Sequence, residues 1–161
     1  DLSFHLGLLG DQHELESVTP LFIQHRLDEV DPGSSVYDVE EHAAVVLHLS
    51  GGLRYYWERG NNGHVEVPNE TRIYGTKAGI KLQFCSWESP VIEFFDVAEG
   101  GQGQARSEAF HVDMSQHSDE AAFAQHLISL WDGQTQAAMP LERAAKHLDI
   151  VFKAYEALAR L

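Results

Sequence analysis

Ala43-Ala44-Val45-Val46-Leu47-His48-Leu49-Ser50-Gly51-Gly52-Leu53-Arg54-Tyr55-Tyr56-Trp57-Glu58 is the stretch that decides the fold. Ala43 to Leu49 is a nearly continuous apolar run, the pattern of a strand covered on much of both faces. Gly51-Gly52 offers the positive φ angles of a tight hairpin, and Leu53 to Glu58 returns as the partner strand. Upstream, Ser17 to Leu27 carries the β-favouring Val18, Phe22 and Ile23, while Pro20 within it argues for an edge position or an early bulge. Asp28 to Asp38, holding Pro32-Gly33-Ser34-Ser35, reads as a loop.

Downstream, Asn61-Asn62-Gly63 is a second turn signal. Thr71 to Tyr74 and Ile80 to Phe84 pair across Gly75-Thr76-Lys77-Ala78-Gly79. Val91 to Val97 and Ala105 to Val112 pair around Gly100-Gly101-Gln102-Gly103. Three successive hairpins predict a mostly antiparallel sheet from Ser17 to Val112. Two helices follow. The first takes Ser118 as N-cap with Asp119 and Glu120 in its first turn; Phe123, Leu127 and Leu130 form its stripe and Gly133 ends it. Pro140 fits the first turn of the second, Leu141 to Leu161, where Ala144, Leu148, Val151, Tyr155 and Leu158 recur at helical steps. The fold class is α+β: a predominantly antiparallel sheet with helices packed on one face, the other left for a partner.

The chain of 161 residues carries a net charge of −14, from 25 acids against 11 bases. One domain, residues 1–161, is expected. An acidic surface with no Lys/Arg cluster repels phosphate backbones and anionic lipid, so nucleic acid and membranes are excluded as partners. No apolar run reaches the length of a membrane span. Cys85 is the single cysteine, so no internal disulfide forms; within Leu82-Gln83-Phe84-Cys85 it reads as a small buried hydrophobe, and a reducing, cytoplasmic location fits. Ten histidines raise the question of a metal. They are scattered singly, with no H-E-x-x-H or His-x-His, and no metal site is expected.

The chain opens on Asp1-Leu2-Ser3-Phe4-His5, inside an apolar periodic segment with room for a helix. Positions i and i+4 share a helix face, so Asp1 and His5 point the same way. A carboxylate beside an imidazole can orient the ring and stabilise its charge, which makes the two a candidate proton-handling pair.

In order along the chain, these pieces resemble the C-terminal half of the glucose–fructose oxidoreductase/inositol dehydrogenase (Gfo/Idh/MocA) family. Asp1-Leu2-Ser3-Phe4-His5 is similar to that family's D-x-x-x-H element. Arg72-Ile73-Tyr74-Gly75-Thr76-Lys77-Ala78-Gly79-Ile80 is similar to its I-Y-G-T-K-G turn, with Lys-Ala-Gly where Lys-Gly is common. Val39-Glu40-Glu41-His42-Ala43 and the two closing helices also fit its pattern. Gly75 to Gly79 is not a phosphate loop, because Thr precedes Lys and a strand follows.

The resemblance implies hydride transfer between a nicotinamide cofactor and a secondary alcohol of a sugar, polyol or related compound. His5 would be the catalytic base, and Asp1, with His5, would bind substrate. No G-x-G-x-x-G fingerprint and no lysine in an E-K-P context occurs in the chain. NAD or NADP would therefore be bound by an N-terminal Rossmann domain outside these residues, and the chain alone is expected to hold no nucleotide and to catalyse nothing. A homo-oligomer through the open sheet face is expected, since the aromatic strand Leu53 to Trp57 carries more ring area than a monomer normally leaves wet. Two other readings stay open: a non-catalytic binding or assembly module with the same fold, and an unrelated small α+β ligand-binding protein.

Overall fold

A computed structural model describes residues 1–10, 12–24, 40–60, 69–83, 91–97, 105–111, 113 and 118–161. The loop at 28–38, the turn at 61–63, Cys85 and the tip at 100–103 lie outside them. The class is α+β, with every strand pairing antiparallel. Among the described residues the strands form two sheets, where one continuous sheet was expected. The chain divides into two compact units, Asp1–Val67 with Ala138–Leu161, and Pro68–Ala137.

The first unit contains α1 (Leu2–Leu9), β1 (Leu15–Gln24), β2 (His42–Leu49), β3 (Arg54–Gly60) and α3 (Leu141–Leu158). Its sheet runs β1-β2-β3, so the Pro-bearing strand is an edge, and its register slips between Pro20 and Phe22. Both parts of the expectation drawn from Pro20 hold. A 3-10 turn at Ser50–Gly52 joins β2 to β3, with Gly51 at φ 76° and Gly52 at φ 80°, a region that side chains with a Cβ avoid. Along β2, Val45, Leu47 and Leu49 alternate onto one face and join Leu2, Leu6, Ile150, Ala154 and Leu158 in the core. Leu47 and Leu49 are completely buried. Burying such a side chain contributes about 1.5–3 kcal/mol, which outweighs the roughly 1 kcal/mol cost of Gly7 inside α1.

α3 docks on β1 and β2 and touches α1. Its buried face is His147, Ile150, Ala154 and Leu158. That face is rotated from the expected stripe: Leu148 and Tyr155 are exposed, and the helix ends at Leu158 rather than Leu161. The rotation follows from His147, a polar residue that buries because Ser3 of α1 satisfies its Nδ1 at 2.8 Å.

The second unit holds β4 (Glu70–Tyr74), β5 (Ala78–Gln83), β6 (Val91–Val97), β7 (Ala105–His111) and α2 (Asp119–Trp131), with the strands in sequence order as a meander. The Gly75–Lys77 turn joins β4 to β5, closed by the Gly75 N–H donating to Ala78 O at 2.9 Å. A Cβ at position 75 would lie 2.7 Å from that same oxygen, which is why glycine stands there. Lys81 spans β5's neighbours, 3.1 Å from Glu70 and 3.3 Å from Glu93, while Phe94 and Phe110 meet edge to face at 5.4 Å. Ser118 caps α2 as expected, its Oγ accepting from Ala121 N at 3.2 Å. The α2 stripe of Phe123, Leu127 and Leu130 is not buried.

Candidate functional site

β3 alternates Tyr55, Trp57 and Arg59 onto the face that meets α1, while Tyr56 and Glu58 fall on the other. Opposite them, the i and i+4 positions of the helix entry present Asp1 and His5. The Asp1 carbonyl accepts the first helical bond, from the His5 N–H at 2.9 Å, so the two residues are fixed one turn apart. His5 Nδ1 lies 2.6 Å from Tyr55 Oη. The Asp1 carboxylate accepts from Trp57 Nε1–H at 3.1 Å and forms an ion pair with Arg59. Each member of the expected pair is thus anchored to the same strand, two residues apart along it.

His5 is 8% exposed. Burial above all, with the Arg59 guanidinium adding to it, holds its pKa below the ordinary value, so the ring is neutral at neutral pH. Burial raises the Tyr55 phenol to about 12, with Arg59 opposing, so its proton stays on. Phe4 flanks the imidazole edge to face at 5.5 Å and Tyr55 lies tilted at 5.5 Å, which fixes the ring plane as well as its hydrogen bond.

A cavity of about 110 Å³ opens between α3 and β2–β3, beside this cluster and sharing Trp57 and Arg59 with it. On the opposite sheet face, Glu58 accepts from Tyr56 Oη–H at 2.6 Å and lies 2.8 Å from His42 Nε2. The Tyr56 bond first, then His42, hold the Glu58 carboxyl below the usual carboxylate range. Among the described residues no three His, Cys, Asp or Glu side chains gather in a way that could hold a metal ion. No described helix is long and apolar enough to cross a membrane.

The structure places Asp1 and His5 on one face as expected from their spacing. It adds Tyr55, Trp57 and Arg59, whereas the rings of Leu53 to Trp57 are expected from sequence to face a partner subunit. Two of that strand's three rings, Tyr55 and Trp57, face the helix instead, leaving Tyr56 outward at 56% exposure. The period-two grouping of 55, 57 and 59 was the available signal. Comparisons with models of known protein families and with curated proteins found no match.

Proposed function

We propose that this chain is the substrate-binding and assembly domain of an NAD(P)-dependent oxidoreductase acting on a secondary alcohol of a sugar, polyol or related compound. The observation that carries the reading is the Asp1–His5 pair, held on one helix face by Tyr55, Trp57 and Arg59. Oxidising an alcohol requires its hydroxyl proton to leave as hydride departs, and a neutral imidazole is suited to take it. Tyr55, 2.6 Å from Nδ1, holds the ring in place for that transfer. Asp1, oriented by Trp57 and Arg59, holds a substrate hydroxyl. A nicotinamide held by an upstream nucleotide-binding domain would supply the hydride acceptor. The same reading carries a cytoplasmic location and a homo-oligomer through the outer sheet face, where Tyr56 and Phe22 are exposed.

A non-catalytic binding or assembly module is the second reading, favoured by the near-complete burial of His5. The two separate in the complete polypeptide with its nucleotide domain. His5→Ala should lower turnover by roughly 10²–10⁴-fold while cofactor affinity holds. Unchanged turnover of the variant between about pH 6 and 9 would leave the non-catalytic module as the better account.

A further inference from the structure

The cavity between α3 and β2–β3 carries opposite charges that do not meet. Arg59 and Glu40 both line it, yet among the described residues Arg59 pairs with Asp1 and Glu40 with Tyr155, and neither bonds the other. Each charge is held by its own partner instead of by the other. Tyr155 Oη shares its proton between the Glu40 oxygens at 2.7 and 2.9 Å. Both groups keep capacity: a guanidinium has five N–H donors and a carboxylate about four lone-pair sites. The apolar part of the lining includes the Trp57 indole with Val45, Val151 and Ala154. The volume of about 110 Å³ far exceeds the roughly 10–15 Å³ that one trapped water needs by the same measure.

We infer that this cavity binds a small zwitterion, its carboxylate on Arg59, its ammonium on Glu40 and its short apolar body against Trp57 and the aliphatic wall. A single-charge ligand is disfavoured, because an anion meets Glu40 and a cation meets Arg59. The site shares Trp57 and Arg59 with the Asp1–His5 cluster, but the inference stands whether or not His5 is catalytic.

The test is an NMR titration of the full chain with L-valine, with isovalerate and isobutylamine (valine without its ammonium or its carboxylate), and with erythritol as an uncharged polyol. The expected result is a saturable shift of the Trp57 Nε1–H resonance by L-valine, with each half-ligand weaker by about tenfold or more. Glu40→Gln, which preserves size, should weaken valine binding to a similar degree, and Ala154→Leu should fill the cavity and abolish it. Preserved resonance dispersion in Glu40→Gln confirms that the variant is folded. No saturable shift with valine, equal binding of isovalerate, tighter binding of erythritol, or an unaffected Glu40→Gln would each overturn the inference.

Discussion

Replacing Tyr55 by Phe removes one oxygen and leaves the ring that packs beside Trp57, with centroids 6.4 Å apart. The lost contact is the 2.6 Å bond to His5 Nδ1, inside a region where the imidazole is 8% exposed. A hydrogen bond contributes about 1 kcal/mol net, while a buried polar atom left without its partner costs about 1–3 kcal/mol, so the loss should be roughly 1–3 kcal/mol. With a urea m-value of about 2 kcal/mol/M, the unfolding midpoint should fall by roughly 0.5–1.5 M. The Trp57 Nε1–H resonance followed through a urea titration reads the unit that contains the bond. A second arm uses His5→Ala: a double-mutant cycle should return a coupling of about 1 kcal/mol or more. A midpoint within error of the parent, or zero coupling, would mean that the contact holds nothing in place. The pH dependence has a definite sign. His5 has a lowered pKa in the folded state, so the unfolded chain binds more protons. Its share of stability is therefore complete above about pH 6.5 and declines as pH falls from there through the folded-state value.

Leu47→Ala, at a site with no exposed surface, should cost about 2–5 kcal/mol in chemical denaturation, whereas Leu148→Ala on the same unit's exposed helix face should cost far less. Gly75→Ala should destabilise the β4–β5 hairpin, since the new methyl would lie 2.7 Å from Ala78 O; faster hydrogen exchange at Arg72 to Tyr74 is the readout. Glu58→Gln should flatten the acid limb of the stability curve. The lowered carboxyl of the parent contributes above its unfolded value near 4.5 and loses that contribution as pH falls through the folded value, modestly, because the carboxylate keeps partial contact with solvent.

The β2–β3 hairpin was legible because three local signals agree there: an apolar run, a Gly-Gly turn and an aromatic return strand. Pro20 likewise announced its edge strand through a missing N–H. The phase of α3 was not legible, because treating His147 as a surface residue rotates the inferred stripe away from Ile150 and Ala154. Only a tertiary partner, Ser3, makes that histidine buriable. Asp1 and His5 could be grouped from spacing alone. Their holders could not, since alternation along β3 sorts 55, 57 and 59 together but does not say which side a helix from elsewhere in the chain will cover. The boundary between the two sheets escaped for the same reason: consecutive hairpins look alike whether or not their ladders join.

The division of the chain has a consequence for its synthesis. The unit built on β1-β2-β3 is discontinuous in sequence, interrupted by 68–137 and completed only by 138–161. In synthesis from the N-terminus, the interrupting meander is made before the segment bearing Ile150, Ala154 and Leu158. Until then the apolar face of β2 has no α3 over it and must be shielded by the ribosome surface or a chaperone. Released chains ending near residue 135 should therefore be protease-resistant in the meander and sensitive in β1 to β3.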